Sequence, residues 1–321
     1  MKISLYFLLF ISLACHAQNE KITYYINKKG QEVKHLDSAA FIRVIQVPDS
    51  GSANFSLYEY YPDKTKKTVG YVSQYQPKLI YQGELVSYYK NGKTNEIFNY
   101  VNGKLKGNSF EYYENGQLKQ SGTYDEGANS KVPGSLTQVS FFKLIDYFDS
   151  TGVQMIKSGD GYLKQYNAKN FGDEGYYKNG LKNAEWKGRC SSGSYTENYA
   201  QGVFTEGVAL WADGSEHKYD KVEAMPEYRG GMRSFYAYVG KNYVYPPLAR
   251  KAGVQGRLLL SFVVQKDGSL TDIVLLKDIG LGTGEEALRL LRESPDWQPG
   301  LQHGMPVRVA YVLPIMLNLG R

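Results

Sequence analysis

The segment Tyr88-Tyr89-Lys90-Asn91-Gly92 returns 24 residues later as Tyr112-Tyr113-Glu114-Asn115-Gly116, and again as Tyr176-Tyr177-Lys178-Asn179-Gly180. Looser copies stand at Tyr147-Phe148-Asp149-Ser150-Thr151-Gly152 and Leu210-Trp211-Ala212-Asp213-Gly214. Asn-Gly accepts positive φ at little cost, so each copy forces the chain into a tight hairpin. Turn signals at this density leave no room for a helix of ten residues, which predicts that residues 18–220 are β-rich with almost no helix. A single hairpin cannot bury a face, so neighbouring hairpins should stack, with the aromatics before each corner packing on the next unit. The 29 tyrosines suit such half-buried β-surfaces better than helical bundles.

The last hundred residues follow other periods. Leu258, Leu260, Phe262 and Val264 alternate with Arg257, Leu259, Ser261 and Val263, which predicts a strand over 257–265 with one wholly apolar face. Asp267-Gly268 should turn the chain into a second, antiparallel apolar run, Ile273 to Leu276. Thr283 lies three residues before Glu286, as in a capping box, and Ala287, Leu288 and Leu291 have helical spacing, so a helix is expected over 285–292. Pro295 blocks its continuation. A final strand is expected from Met305 to Leu317, with Val307, Val309, Tyr311, Leu313, Ile315 and Leu317 on one face and Pro314 on the other. By size Trp297 reads as a core aromatic. With a helix opened by Gly230-Gly231, the order is helix, strand, strand, helix, strand.

This order, punctuated by Gly230-Gly231, Tyr245-Pro246, Ala249, Gly253, Gly256, Asp267-Gly268, Trp297, Pro299 and Leu313-Pro314, resembles the C-terminal domain of TonB-type energy transducers over about residues 225–321. The resemblance implies a periplasmic unit that grips TonB-dependent outer-membrane transporters. In that family an extended peptide of the transporter lies beside the final strand and near the Tyr-Pro segment. Carried over, this implicates Tyr245 and Pro246, with Val307, Val309, Tyr311 and Leu313 on an open edge. An edge strand can pair with an added strand whatever its family, and the alternative is that the segment before Tyr245 or a second copy of the domain covers the same edge. The family also implies inner-membrane motor proteins as partners. The hairpins of about residues 79–215 resemble bacterial MORN-type repeats with Tyr-x-x-Gly corners, a scaffold class with no single activity. The expected fold class is therefore α+β overall, a β-rich stacked-hairpin (MORN-like) region followed by a small αββαβ TonB-C-terminal-like domain.

Residues 1–17 read as a targeting segment: Lys2 precedes an apolar run, Ile3 to Ala14, too short for a stable membrane span. Cleavage after Ala17, or acylation of Cys15 in the lipobox-like Leu13-Ala14-Cys15, would each place the mature protein in the periplasm or envelope. The layout is then 1–17 signal peptide, 18–78 β-rich segment, 79–220 repeats and 221–321 C-terminal unit. Two functions stay open, a TonB-like transport component and a non-enzymatic envelope scaffold or lipoprotein whose repeats bind a protein or surface. The second draws on the absence of a Pro-rich spacer among eleven scattered prolines.

Enzymatic chemistry finds no support in the residues. His16 lies in the leader, and His35, His217 and His303 stand apart in polar surroundings. No nucleophile elbow, phosphate loop or zinc motif is present, and Gly280-x-Gly282-x-Gly284 lacks the crossover unit of a nucleotide site. Neither a catalytic residue, a metal nor a cofactor is expected. The net charge of +6 is spread along the chain, so nucleic acid is not an expected partner. Cys190 stands alone downstream of Cys15 and reads as a small buried hydrophobe.

Overall fold

In a computed structural model, residues 20–48, 52–126, 140–295 and 297–319 are described. The expected targeting segment 1–17, with Cys15, lies outside them. The aromatic corners fold into one recurring turn. The Tyr89 N–H donates to Lys93 O (2.9 Å) and the Gly92 N–H to Tyr89 O (2.9 Å), and the same pair of bonds closes the corners at Tyr61, Tyr113, Asp149, Asn167, Trp211 and Gln265. Only Gly92 of its corner has positive φ (81°), and the strand register shifts between Ser87 and Tyr88. This is a three-residue loop with a glycine bulge, not a two-residue hairpin.

The third copy, Asn179-Gly180, was expected to form the same corner and does not. Asn179 (φ 53°) and Gly180 (φ 79°) are both left-handed, the signature of a two-residue turn. Neighbours fix it there: Gly180 N–H donates to Gly159 O (2.9 Å) and Gly180 O accepts from Leu144 N–H (3.0 Å).

The chain folds as two compact units, residues 1–161 with 179–181, and residues 162–178 with 182–321. In the first, each strand pairs antiparallel with the next from Phe41–Gln46 through Phe55–Tyr60, Lys66–Gln74, Gly83–Tyr88, Thr94–Val101, Gly107–Tyr112 and Leu118–Glu126 to Ser140–Phe148. The corner tyrosines link successive hairpins, with Tyr61 Oη donating to Tyr88 O (3.3 Å), Tyr89 Oη to Tyr112 O (2.7 Å) and Tyr113 Oη to Phe148 O (2.9 Å). Ile45, Leu57 and Val72 form a fully buried cluster. Beside it the buried Glu59 carboxylate takes Arg43 (2.7 Å), Lys67 (2.7 Å) and the Thr68 hydroxyl (3.0 Å). Among the described residues before Gly231 the one helical element is a single turn, Leu36–Ser38.

The second unit carries further antiparallel strands, Leu181–Cys190 from its second residue on, Gly193–Ala200, Val203–Trp211 and Glu216–Tyr219. Gly188 faces Tyr195 across the ladder, and a Cβ there would lie 2.0 Å from the ring. The helices Gly231–Asn242, Pro247–Lys251 and Thr283–Arg292 and a three-stranded sheet follow. The sheet order is Leu270–Lys277, Gly256–Val264, Val309–Leu317. Phe235, Leu258, Leu260, Phe262, Leu290 and Leu291 are buried together, and Trp297, 2% exposed, packs edge to face with the rings of Phe262 (5.2 Å) and Tyr311 (5.5 Å). Gly268 serves the turn twice. Its φ is 91°, and a Cβ would meet Trp297 O at 2.0 Å.

The structure corrects several local expectations. The second helix of the predicted order starts at Thr283, and its N-cap is Gly282, so no capping box forms. Asp278 orders the loop before it, accepting the N–H groups of Ile279 (2.7 Å) and Gly280 (3.1 Å) and the hydroxyl of Thr283, the first helical residue (3.1 Å). Leu290 rather than Leu288 fills the core, because the true helix phase places 287, 290 and 291 inward. The expected 305–317 strand breaks at Arg308 into Met305–Val307 and Val309–Leu317. Pro247–Lys251 and a small sheet of Glu223–Ala224, Gly300–Gln302 and Met305–Val307 were not expected.

Candidate partner-binding edge

The Val309–Leu317 strand pairs with Gly256–Val264 from Val264↔Val309 to Gly256↔Leu317. Among the described residues no strand pairs with its other side. Its side chains alternate as expected, with Leu313, Ile315 and Leu317 buried and Ala310, Val312 and Met316 exposed. Pro314 has no N–H, and within an edge strand its nitrogen belongs on the unpaired side. Its carbonyl, on that side, accepts the Tyr236 hydroxyl (3.3 Å). Because backbone groups alternate along an antiparallel strand, Ala310, Val312 and Met316 also present theirs outward, whereas Val309, Tyr311 and Leu313 direct theirs to the neighbouring strand. The open ladder is thus offered by residues 310, 312 and 316.

Each sequence-expected residue has a definite place relative to that edge. Leu313 is 1% exposed and Tyr311 packs its ring on Phe262 (5.6 Å), so neither side chain is presented to a partner. Val309 lies half-buried at the strand's start. Val307 is not on this strand; it pairs with Gly300 in the small hairpin. Tyr245 donates its hydroxyl to Val254 O and packs beside Tyr243 (5.9 Å), and Pro246 lies 3.6 Å from where a Gly282 Cβ would stand. That anchorage joins the hydrophobic cluster that also buries Leu313, Ile315 and Leu317 of the edge strand. Glu286 secures it further, accepting the Val244 N–H (2.7 Å) while paired with Arg289 (2.6 Å). The hydrogen bonds and charge of Arg289, with the Val244 N–H, outweigh burial and hold the Glu286 carboxyl below its ordinary range.

The edge is seated by the hairpin that leads into it. His303 (φ 49°) and Gly304 (φ 69°) form its two-residue tip. His303 was expected to stand apart. Instead its ring stacks on Tyr195 (3.9 Å, 3° between planes) and its Nδ1 lies 2.7 Å from Glu197 Oε1. Met305 is buried against Cys190, the sulfurs 3.6 Å apart. Lys266 Nζ donates to Ser192 Oγ (2.9 Å) nearby. Among the described residues no group of three or more His, Cys, Asp or Glu side chains is arranged to hold a metal, and no helix is long and apolar enough to cross a membrane.

Residues 241–319 match a family model, the C-terminal domain of the Gram-negative bacterial TonB protein. This agrees with the resemblance read from the Tyr245-Pro246 to Leu313-Pro314 pattern and covers the helices Pro247–Lys251 and Thr283–Arg292, the three-stranded sheet and its edge. No curated protein and no solved structure matches the chain.

Proposed function

We propose that this is an exported, non-enzymatic protein of the cell envelope whose C-terminal domain captures an extended segment of a TonB-dependent outer-membrane transporter. Capture occurs by strand addition along Val309–Leu317 and supports transport across the outer membrane. The observation that carries the reading is the coincidence of the TonB family match at 241–319 with a strand open on one side in that same segment. Main-chain bonds to residues 310, 312 and 316 supply affinity, and exposed Val312 and Met316 offer apolar contacts to alternate residues of the added strand. Pairing with inner-membrane motor proteins, and force transmission through them, complete the transducer form of this reading. Processing after Ala17 or at Cys15 delivers the chain to the envelope.

A second reading rests on its own observation. The C-terminal domain is held on the 181–219 strands by its 300–307 hairpin, not carried on a free spacer. That suits a scaffold in which stacked, MORN-like hairpins bind a protein or surface and the terminal domain docks without transmitting force. Titration of an extended transporter peptide tests the first reading. Val312→Pro removes an outward N–H and should abolish binding, whereas Arg308→Ala should change affinity less than twofold, about the scale of an exposed charge. Equal affinity of Val312→Pro and the parent would place the partner elsewhere.

A further inference from the structure

The strands of the second unit carry a pocket of about 370 Å³, lined by Lys164, Glu174, Lys187, Arg189, Ser194 and Thr196 beside the Tyr166 ring. Strand alternation gathers these side chains on one face. Lys187 stands opposite Thr196 and Arg189 opposite Ser194 in the ladder, while Trp186, Gly188 and Tyr195 between them are buried on the other face. The volume falls within the usual span of ligand sites, about 300–1,000 Å³, but the lining is charged and hydroxylic rather than apolar. Such a lining suits a ligand rich in its own hydrogen-bonding groups.

Charge at the pocket does not cancel. Lys164 is paired with Glu174 (3.0 Å) and Lys187 with Glu185 (2.9 Å), and on the other face Asp173 is paired with Lys182 (2.8 Å). Among the described residues Arg189 has no carboxylate within ion-pairing distance. Its planar guanidinium is shaped for a bidentate pair with a carboxylate. Glu174 offers the complementary chemistry. The bond from Lys164, with the Tyr162 and Tyr166 hydroxyls, holds its carboxyl below the ordinary range against burial, so it accepts hydroxyl hydrogens. Tyr162 and Tyr176 alternate with Lys164 and Glu174 along their strands, which puts them on the same face. They are 40% and 58% exposed and meet edge to face at 4.8 Å. The electron-rich faces of such rings attract the polarised C–H groups of a sugar.

We propose that this pocket binds an acidic sugar chain. A sugar carboxylate pairs with Arg189, ring hydroxyls donate to Glu174 and accept from Ser194 and Thr196, and a neighbouring ring of the chain packs on Tyr162 and Tyr176. Each part of the pocket answers one part of that ligand. A bare anion would use Arg189 but meet the like charge of Glu174, and a neutral sugar would leave the guanidinium without its partner. The site is separate from the Val309–Leu317 edge and stands whichever partner that edge captures.

Isothermal titration calorimetry of the full chain tests this with three probes. Trigalacturonate is the acidic sugar, its methyl ester is the same skeleton without charge, and inorganic phosphate is an anion without a ring. Trigalacturonate should bind, and the ester and phosphate should each bind about tenfold more weakly. Arg189→Gln should weaken trigalacturonate about tenfold and leave the ester unchanged. Tyr176→Ser should weaken both sugars about fivefold. Lys104→Gln, which removes an exposed cation of the first unit, should change none of the three. Arg189 and Tyr176 are both exposed, and unchanged hydrogen exchange across the 184–199 strands shows that each variant keeps the fold. Absence of trigalacturonate binding overturns the proposal. So does an ester or phosphate affinity equal to that of trigalacturonate, parental affinity in Arg189→Gln or Tyr176→Ser, or an equal loss in Lys104→Gln.

Discussion

Leu290 and Leu288 sit two positions apart on the Thr283–Arg292 helix and distinguish the observed helix phase from the expected one. Leu290 has no solvent exposure and packs in the cluster of Phe235, Leu258, Leu260 and Phe262, whereas Leu288 is half-buried at its rim. Truncating Leu290 to Ala removes buried carbons and leaves a cavity that the surrounding strands cannot fill, a cost of about 3 kcal/mol. The same change at Leu288 loses only part of the burial and opens no closed cavity, a cost of about 1 kcal/mol. Helix propensity changes equally in both and cancels from the comparison. Hydrogen exchange of the full chain, read on peptides from the 256–264 strand, reports the opening free energy of this domain. Leu290→Ala should speed exchange about 150-fold and Leu288→Ala about fivefold. If Leu288→Ala matched or exceeded Leu290→Ala, the packing described for this helix would be refuted.

Gly188→Val should displace the Tyr195 ring, because its Cβ would stand 2.0 Å from Cζ. We expect a loss of about 2 kcal/mol in urea unfolding together with faster labelling of Cys190. Tyr89→Phe deletes the hydroxyl that reaches Tyr112 O and should cost about 1 kcal/mol in the first unit, seen as faster exchange in the 94–112 strands. For Glu59, burial acts to raise the carboxyl, but the bonds and charges of Lys67 and Arg43 prevail and hold it low. The unfolded chain therefore takes up this proton at a higher pH than the folded one. Its stabilising contribution is present above the ordinary carboxylate range and lost as pH falls through the lowered value. Glu59→Gln should flatten the acid limb of stability against pH, and an unchanged limb would show that the ion pairs contribute nothing there.

What could be seen in the sequence was local. Asp267-Gly268 and Asn91-Gly92 announce turns through their own backbone preferences, and the alternation from Leu258 to Val264 announces a buried face. The start of the second long helix was misread because Thr283 has the residue type of a cap, while the cap position falls on Gly282 and Asp278 in the preceding loop binds the Thr283 hydroxyl. Asn179-Gly180 was misread for the opposite reason. The same dipeptide as at Asn91-Gly92 closes a different turn because Gly159 and Leu144 bind its backbone. The socket for His303 lay beyond local reading altogether, since its partner Glu197 is 106 residues away. A Tyr-x-Glu-x-Tyr alternation at 195–199 was the available signal, a carboxylate on an aromatic inward face that required a donor from outside the hairpin.

The central claim is that a transporter segment is captured on the Val309–Leu317 edge. A photo-reactive residue placed at Val312 reports on that edge, and one at Val274, similarly exposed on the opposite edge strand, is its control. Each variant is illuminated in intact envelopes and the products identified by mass spectrometry. The account predicts a covalent adduct between position 312 and a TonB-dependent transporter, with none from position 274. An adduct from position 274 alone, or no transporter adduct from position 312, would contradict it.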